Sequence, residues 1–526
     1  MKKVIVCDHI HQKGIDILKA AKDVDLEVAY DVPKADLYSR LGEAELAITR
    51  SSTPVDLQFL DAAKKCKFII RAGVGVDNVD IDECSKRGIV VMNVPTANTI
   101  AAVEMTMCHL VCSARSFINA HNELKQKRVW KRENWYGTEL LGKKLGVIGF
   151  GNIGSRVAIR AKAFDMEIIA YDPYVQPSKV TSLGMKYTTN FDDILACDII
   201  TIHTPKNKET TNMIAAKEIA KMKDGVILIN VARGGLYNED DLAAALKSGK
   251  VRFAGMDVFS REPATDHPLL DLENVSVTQH IGANTLESQI NIAVQSADNA
   301  LEVLRGISYP NALNMPIKDD AMPDWVKNYC DLAQRMAFLA AQVSNGAARS
   351  VSVSAAGEVA DYLESLGVFA IVGALNTALG EKVNYVNAPF VAKERGVEVS
   401  TQKESGETPY KNSITVRISG DRESIYLTGI LLGNESARIV DINGFVVDVA
   451  PKGKMIVMKN RDVPGVIGKV GTLLGDHKIN IADFRLGRGK GGEAMAIILV
   501  DNDVSSGVLD ALSAIPEAIR ASYAEL

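Results

Sequence analysis

The sequence predicts an α/β protein in which parallel β-sheets form the first part of the chain and smaller α+β units form the second. The chain has 526 residues, enough for about three or four domains, and 47% of them are hydrophobic, which supports several buried cores. From residue 1 to about 316, short apolar runs alternate with amphipathic helical segments, as in right-handed β-α-β crossovers. Beyond that point, helices come first and strand-turn segments follow.

Nine strands are predicted in the first part from their apolar runs. The run 226-VILIN-230 is apolar throughout, as expected of a strand covered on both faces of a parallel sheet. A long amphipathic helix over 284–305 ends at Gly306, and Pro310 and Pro316 favour a domain boundary near residue 316. The strands are 3–7, 46–49, 68–71, 89–93, 145–150, 167–172, 198–203, 226–230 and 252–258, with helices over 155–164 and 239–249.

Two further units are predicted after residue 316. The first starts with a helix over 324–343 and continues with strands and turns, including a polar turn at Asn443-Gly444. The second contains a strand over 454–460 and then a helix, a turn and a strand within 464–486. A final strand over 494–501 and a helix over 505–515 complete it as a small α+β unit.

Charge and cysteine usage argue against several classes of protein. Lys and Arg number 60 and Asp and Glu 65, so the net charge of −5 disfavours nucleic acid as a partner. The seven cysteines are odd in number, lack a C-x-x-C pair and lie mostly in apolar runs, which is typical of a reducing compartment. The amino terminus suits a first strand better than a signal peptide, and no run reaches the roughly 18 apolar residues of a membrane span. We therefore expect a cytoplasmic protein with no membrane partner.

A glycine-rich turn predicts a dinucleotide-binding, Rossmann-like unit. The segment 149-GFGNIG-154 follows a predicted strand and opens a helix. Gly149 would make the tight turn, Gly151 would let the backbone approach a pyrophosphate, and Gly154 would pack helix on strand. Asp172 stands 18 residues after Gly154, where a carboxylate binds ribose hydroxyls and disfavours a 2′-phosphate, so the predicted cofactor is NAD. The alternative is a plain glycine turn with a surface aspartate.

Three polar residues follow apolar runs in the second half of this region. Arg233, Glu262 and His280 would lie at the edge where parallel sheets place their sites. Oxidation of a 2-hydroxy acid needs a base for the hydroxyl proton, and histidine suits that role near neutral pH. A carboxylate would orient the imidazole, and an arginine would bind the substrate carboxylate with two parallel bonds. Taken singly, the histidine also suits a structural role and the arginine a helix start. We predict no metal ligand set.

Ten short blocks in residues 1–316 resemble the D-2-hydroxyacid dehydrogenase family, and the layout of the whole chain resembles its long-form phosphoglycerate dehydrogenases. The blocks include 71-RAGVGVDNVD-80, 147-VIGFGNIG-154, 230-NVARGG-235 and 280-HIGANT-285. The resemblance implies two Rossmann-like, doubly wound parallel-sheet domains, then an α+β intervening domain and a ferredoxin-like ACT domain. The implied boundaries are 1–96 with 286–316 for a discontinuous substrate-binding domain, 97–285 for the NAD-binding domain, 317–452 for the intervening domain and 453–526 for the ACT domain.

The resemblance also implies which residues form the site. Arg233, Glu262 and His280 would be the catalytic set. Val74 departs from the threonine common in relatives, which puts a hydroxyl contact to the cofactor in doubt there. The implied cofactor-binding residues are Gly149, Gly151, Asn152, Ile153, Gly154, Asp172, Thr204, Val231, Ala232, Arg233, Asp257, His280, Gly282 and Ala283. The implied substrate-binding residues are Arg50, Ser51, Arg71, Gly73, Asn98 and Arg132.

The basic segment 125-KQKRVWKRENW-135 permits three interpretations. Aromatic residues among cations suit nucleic-acid binding, and a solvated helix end with a packing loop suits them equally. The resemblance suggests a third, in which the segment crosses a dimer interface and Arg132 adds positive charge to the partner's substrate pocket. We favour the third over nucleic acid because the net charge is negative.

The last residues resemble an ACT domain, an amino-acid sensor, through 460-NRDVPGVIGKVG-471 and 479-INIADF-484. Pro464 and Gly465 open a helix whose first backbone N–H groups suit a carboxylate. Asn460, Asp462 and Asn480 would frame the effector, with L-serine bound between paired subunits. A purely structural oligomerisation module is the alternative.

The resemblance thus implies oxidation of 3-phospho-D-glycerate to 3-phosphohydroxypyruvate with NAD by a homodimer or homotetramer. Two arginines, Arg50 and Arg71, suit a phosphorylated substrate. Another 2-hydroxy acid, such as glycerate, lactate or 2-hydroxyglutarate, is the alternative substrate. A non-catalytic NAD-sensing scaffold is the alternative class.

Overall fold

The computed structural model describes residues 1–316, 322–344, 347–405, 408–420, 423–489 and 491–526. Four β-sheets lie in these residues, two of them parallel and two mainly antiparallel. The predicted fold class is confirmed, since two parallel Rossmann-like sheets precede an α+β unit and a four-stranded ACT-type sheet. Residue 317, the expected start of the intervening domain, lies outside the described residues.

The first sheet has five parallel strands in the order β2-β1-β3-β4-β5. The long helix over residues 286–304 returns to this sheet and packs on the first helix at Gly14, where a Cβ would lie 2.5 Å from the Ala293 carbonyl oxygen. Its elements are β1 (Lys2–Val6), α1 (Gln12–Ala20), β2 (Val24–Val28), α2 (Lys34–Leu41), β3 (Leu46–Thr49), α3 (Leu57–Ala62), β4 (Phe68–Arg71), α4 (Ile81–Lys86), β5 (Val90–Met92) and α12 (Leu286–Leu304).

The second sheet has seven parallel strands in the order β12-β11-β10-β9-β6-β7-β8. Its central strand β10 is buried along its whole length, as its apolar sequence predicts. The elements are α5 (Thr99–Arg115), α6 (Phe117–Lys125), β6 (Lys144–Ile148), α7 (Gly154–Lys162), β7 (Glu167–Tyr171), α8 (Pro177–Thr181), β8 (Lys186–Thr188), α9 (Phe191–Leu195), β9 (Ile199–Ile202), α10 (Ala216–Lys221), β10 (Val226–Asn230), α11 (Glu239–Ser248), β11 (Val251–Met256) and β12 (Val275–Val277).

The third sheet has the strand order β14-β13-β15-β16-β17-β18. The helical stretch Glu358–Leu379, which contains the helix α14, is long and apolar enough to cross a membrane by length and composition, but α14 packs against α13 in the core of this unit. The turn at Asn443 and Gly444 is present, with φ of 50° and 85°. The elements are α13 (Asp324–Val343), β13 (Ala348–Ala356), α14 (Leu363–Leu379), α15 (Ala388–Glu394), β14 (Glu398–Lys403), β15 (Ser413–Gly420), β16 (Ser424–Leu432), β17 (Ser436–Ile442) and β18 (Phe445–Val449).

The fourth sheet is antiparallel, with the order β20-β21-β19-β22. The final strand β22 pairs with β19, so the expectation that the strand at 494–501 is the last one is wrong. The elements are β19 (Lys454–Arg461), α16 (Val466–Asp476), β20 (Ile481–Arg488), β21 (Glu493–Val500), α17 (Ser506–Ser513) and β22 (Ala518–Glu525).

The strands of the third sheet were predicted only as strand-turn segments without bounds, and four strands of the other described sheets were missed for two physical reasons. Strands β8 and β12 have three residues each, too few to show a period. Strands β2 and β22 lie at sheet edges, and their sequences VDLEV and AIRASYAE mix polar with apolar residues because only part of an edge strand is covered.

Candidate active site

Arg233, Glu262 and His280 follow the neighbouring strands β10, β11 and β12. These strands are parallel, so the three residues come from one edge of the second sheet. The His280 Nδ1 atom lies 2.8 Å from Glu262 Oε2. The sequence thus placed these side chains on the correct edge, although β12 itself is too short to be recognised.

His280 and Glu262 form a pair that suits general acid–base catalysis. Glu262 Oε1 accepts a hydrogen bond of 3.0 Å from the Phe259 backbone N–H, and its other oxygen faces the imidazole. Burial raises the pKa of Glu262, but the hydrogen bonds from His280 and Phe259 outweigh this effect, so the pKa lies below its usual value. An ionised Glu262 orients the ring through Nδ1, which leaves Nε2 as the nitrogen that can exchange a proton with a substrate hydroxyl.

Asp257 fixes the turn that carries His280. This carboxylate is buried and accepts hydrogen bonds from the backbone N–H groups of Ile281 and Gly282, at 2.9 and 2.8 Å, and from the Thr278 hydroxyl. The His280 backbone, at a φ of 55°, donates to the Asp257 carbonyl oxygen. The geometry gives the Asp257 side chain a role in shaping the loop, and its expected contact with the cofactor stays a prediction.

Arg233 reaches from the second sheet to the loop after β4 in the first. Its Nε donates to Asp77 Oδ2 at 2.9 Å and its Nη1 to the Ala232 carbonyl oxygen at 2.7 Å. A Cβ on Gly75 would lie 1.9 Å from Nη2, so only glycine lets the guanidinium lie there. Asp77 and Gly75 were missed, although both lie in the conspicuous block 71–80. The candidate active site therefore lies where the two parallel-sheet units meet, and we call this place the cleft.

Two more arginines lie in the first-sheet half of this cleft. Burial, together with the positive charges of Arg233 and Arg50, lowers the pKa of Arg71 to about 10. Among the described residues, Arg71 Nε is buried without a hydrogen-bond partner. Burial also lowers the pKa of Arg50, whose Nη1 donates to the His9 carbonyl oxygen at 3.0 Å. Partly desolvated, incompletely paired cations are stabilised by an anionic ligand.

The turn after β6 fits a dinucleotide. Gly149 has a φ of 86°, and a Cβ there would lie 2.6 Å from the His203 carbonyl oxygen. A Cβ on Gly154 would lie 1.9 Å from the Gly149 carbonyl oxygen, whereas nothing lies within 4 Å of one on Gly151. The first and third glycines are thus required for packing, and the second faces open space in which a pyrophosphate fits.

Two polar side chains strengthen the fit to a dinucleotide. Asp172 follows β7 and receives hydrogen bonds from the Phe150 and Tyr174 backbone N–H groups, at 2.8 and 2.9 Å, so its carboxylate is held at the glycine turn. Among the described residues, the Thr204 hydroxyl is buried without a partner. A buried, unpartnered hydroxyl beside Gly149 is the kind of group that a bound cofactor satisfies.

The remaining expected cofactor residues flank the same edge. The Ala232 backbone N–H donates to the Asn230 side chain at 3.0 Å, and that side chain donates to the Arg233 carbonyl oxygen, so Asn230 shapes the 231–233 turn. Sequence reasoning missed Asn230 because it ends an otherwise apolar strand. Asn152 and Ile153 lie in the turn before α7, Val231 is buried, and Gly282 and Ala283 follow His280.

Comparison with known proteins identifies relatives of the chain. Residues 107–282 match the D-isomer specific 2-hydroxyacid dehydrogenase NAD binding domain, residues 325–443 the D-3-phosphoglycerate dehydrogenase intervening domain, and residues 454–517 the ACT domain. The D-3-phosphoglycerate dehydrogenase of Archaeoglobus fulgidus is 37% identical over 530 residues, which cover 100% of both chains. That of Bacillus subtilis is 36% identical over 529 residues, again 100% of both.

The chain belongs to the D-3-phosphoglycerate dehydrogenase family. Among solved structures, the D-lactate dehydrogenase of Aquifex aeolicus, complexed with NAD and lactic acid, is similar with a TM-score of 0.53 and 29% identity. The match covers 58% of this chain and 96% of that one. The NAD-binding domain of the family agrees with the glycine turn and Asp172, so the cofactor is NAD.

The other expected substrate residues, Ser51, Gly73 and Asn98, have different surroundings in the structure. Ser51 is exposed in the turn over 50–53, which Asp8 holds through the Arg50 backbone N–H and the Thr53 hydroxyl. Gly73 packs against the Arg71 guanidinium, since a Cβ there would lie 1.7 Å from Arg71 Nη1. Asn98 precedes α5, and its Oδ1 is buried with no partner among the described residues.

Arg132 does not join this cleft within one chain. It lies in an open surface cleft of about 710 Å³ that residues of α5, α6 and the segment 129–135 line, including the exposed Trp130. None of Arg233, Glu262 and His280 lines it. Its expected role therefore requires a second subunit and stays a prediction.

The ACT domain of this family member contains a cavity of about 400 Å³ beside α16, which we call the ACT pocket. Asn460, Asp462 and Arg488 line it, and Asp462 Oδ2 lies 3.2 Å from Arg488 Nε. Asn480 immediately precedes β20 at the opposite end of the sheet, where its amide donates to Asp501 at 2.6 Å. One chain thus brings together two of the three expected effector residues.

Proposed function

We propose that this protein oxidises 3-phospho-D-glycerate to 3-phosphohydroxypyruvate with NAD, the first step of L-serine biosynthesis. The observation that carries the proposal is the His280–Glu262 pair, 2.8 Å apart, at the edge of a cleft into which Arg233, Arg71 and Arg50 bring positive charge. Relatives named D-3-phosphoglycerate dehydrogenase match the chain over its full length, which supports the same reaction here.

NAD supplies the acceptor for the hydride that leaves carbon 2 of the substrate. His280 takes the hydroxyl proton as the carbonyl forms, and Glu262 stabilises the imidazolium that results. Arg233 keeps N–H groups free to bind the substrate carboxylate beyond those that it donates to Asp77 and Ala232. The products are the 2-oxo acid, NADH and one proton, which balances the reaction.

Arg71 and Arg50 are assigned to the phosphate end of the substrate, with Ser51, Gly73 and Asn98 beside them. The unpartnered Arg71 Nε and Asn98 Oδ1 support this assignment because buried polar atoms normally have partners. A phosphorylated acid carries more negative charge than glycerate or lactate, which favours it in a cleft with three arginines.

The chain is assigned four functional units with the boundaries expected from its sequence. Residues 1–96 and 286–316 bind substrate, 97–285 bind NAD, 317–452 form the intervening domain and 453–526 the ACT domain. The family of the last unit supports an amino-acid effector, for which we propose L-serine. The oligomeric state stays a prediction, namely a homodimer or homotetramer with Arg132 near a partner's cleft. The cytoplasmic location also stays a prediction.

The test is an NADH absorbance assay over a panel of 2-hydroxy acids and their 2-oxo counterparts. The panel contains 3-phosphoglycerate, D-glycerate, D-lactate and 2-hydroxyglutarate. We expect 3-phosphoglycerate to give the highest kcat/KM. A preference for an unphosphorylated acid would show that the substrate is wrong and the dehydrogenase chemistry right. No activity with any compound of the panel would favour the NAD-sensing scaffold.

A further inference from the structure

A buried carboxylate outside the catalytic set links the loops that carry two of its members. Glu239 opens α11, and its side chain is only 6% exposed. Glutamate is rarely buried so completely unless its charge is compensated by hydrogen bonds. The residues that provide the bonds belong to the segments after β10 and β11.

Four donors surround the Glu239 carboxylate. Oε1 accepts from the backbone N–H groups of Gly235 and Ser260, at 3.1 and 2.7 Å. Oε2 accepts from the Ser260 hydroxyl at 2.7 Å and lies 3.0 Å from His267 Nε2. We call Glu239, Gly235, Ser260 and His267 the Glu239 cluster. The cluster connects two segments of the chain. Gly235 lies two residues after Arg233, and Ser260 lies two residues before Glu262.

The two segments pack backbone against backbone at the same place. A Cβ on Gly234 would lie 1.9 Å from both the carbonyl carbon and the carbonyl oxygen of Phe259. The Phe259 N–H in turn donates to Glu262 Oε1 at 3.0 Å. A displacement of Ser260 would therefore move the donor that orients Glu262, and with it the carboxylate that holds His280.

His267 contacts Glu239 through Nε2 and a backbone N–H through Nδ1. Its Nδ1 accepts a hydrogen bond from the Leu269 backbone N–H at 3.3 Å, which places the ring proton on Nε2. That proton is then donated to Glu239. The ring also packs edge-on against Phe259, with 5.1 Å between centroids, so His267 supports the same segment through two contacts.

We propose that Glu239 is a positioning residue for the dehydrogenase reaction, because it fixes the Arg233 and Glu262 loops relative to each other. The inference rests on the proposed function, since it assigns those loops to catalysis. A carboxylate is required because all four neighbouring groups, from three residues, donate. Glutamine would direct an N–H group at one or two of these donors, and each buried donor left unpaired is costly.

The experiment compares the parent enzyme with Glu239→Gln, Glu262→Gln and the double variant. We expect Glu239→Gln to lower kcat by about 10- to 100-fold, since small displacements in an active site have effects of that size. The KM for NAD stays within twofold of the parent. The acid limb of the pH profile moves to lower pH, in the direction that Glu262→Gln moves it. The double variant should lose much less than the product of the two single losses, because both changes act through one carboxylate.

Two companion variants separate positioning from simple loss of stability. His267→Gln keeps a donor toward Glu239 and an acceptor for Leu269, so it should retain more activity than His267→Ala. Glu218→Gln is the matched control, because Glu218 caps α10 through the Ala215 N–H and touches neither loop. If Glu239→Gln does not fold, the pH profiles of the two His267 variants provide the same test.

The outcomes separate this inference from the function on which it rests. A parent enzyme inert on the whole panel overturns the proposed function and the inference together. An active parent with an unchanged pH profile in Glu239→Gln, or with strictly multiplicative losses in the double variant, overturns the positioning role alone.

Discussion

The catalytic cleft and the ACT pocket both gather polar side chains at strand ends, but their charges are balanced differently. In the cleft, Arg71 Nε lacks a partner among the described residues, while His280 and Glu262 already form a pair. In the ACT pocket, Asp462 is paired with Arg488, and the Asn460 amide donates to the backbone of the next residue. One chain thus supplies a proposed catalytic arrangement with an unpaired buried cationic N–H, whereas Asn460, Asp462 and Arg488 in the pocket already have partners within the chain.

This difference shows how far a single chain can assemble each site. The three proposed catalytic residues follow neighbouring strands of one sheet, so folding of the chain brings them together. Asn480 lies at the far end of β20 from Asp462, so a site with both needs a second subunit. Variants in the cleft should therefore act directly on turnover, and variants in the ACT domain only through an effector.

The largest effect among the following variants is expected for Glu262→Gln. Loss of the carboxylate charge removes the group that stabilises imidazolium, so kcat should fall by about 100-fold. The acid limb of kcat/KM against pH should move to lower pH, because the negative charge that favours an imidazolium is lost. Glu273→Gln, an exposed carboxylate paired with Lys127, is the control. An identical pH profile in the Glu262 variant would contradict the pairing.

Arg71→Ala should have the next largest effect. Removal of a charged hydrogen-bond donor should raise the KM for 3-phosphoglycerate by about 10- to 100-fold. The increase should be smaller for D-glycerate, which lacks the phosphate. The control is Arg87→Ala, a surface arginine paired with Glu83 and Asp61. An unchanged KM would remove Arg71 from the substrate site.

Asp172→Ala should relax the choice of cofactor. The carboxylate is held at the glycine turn by two backbone N–H groups, so its removal also weakens NAD binding. The readout is therefore the ratio of kcat/KM for NAD to that for NADP, which we expect to fall by about tenfold. Asp172→Asn keeps the size and loses the charge, and it should give an intermediate ratio. A ratio equal to the parent's in both variants means that the ribose is bound elsewhere.

The smallest effect on turnover is expected for Asn480→Ala. It should reduce the heat of L-serine binding in calorimetry and weaken any inhibition by serine, while the pH profile of turnover stays that of the parent. Coupling between the two sites requires that serine prefer one arrangement of subunits. If the intact protein releases no heat on addition of L-serine, the effector proposal is wrong. If it binds serine but is not inhibited, only the proposed coupling between the two sites is wrong.

The sequence predicted what depends on local pattern and strand order. Apolar runs located β10 and the helix over 324–343, and the positions of Arg233, Glu262 and His280 after their strands followed from the geometry of parallel sheets. Strand β12 was missed because it has only three residues, and the edge strand β22 was missed because its residues are only partly covered by the core.

Long-range pairs were beyond the reach of sequence pattern. Asp77 lies 156 residues before Arg233, and nothing in its neighbourhood shows that it contacts the second sheet. Glu239 looks like an ordinary acidic residue in a first helical turn, where a carboxylate is expected on dipole grounds alone. Only the folded chain reveals that four donors from two loops surround it.

The most direct test of the catalytic assignment is the rate of NADH formation in a single turnover of His280→Ala, measured beside NADH binding by fluorescence. Loss of the imidazole should lower the rate by about 1,000-fold or more. The Kd for NADH should change little, because the cofactor is held mainly by the glycine turn and Asp172. A variant that keeps most of the parent's rate would contradict the assignment of His280 as the group that takes the substrate proton.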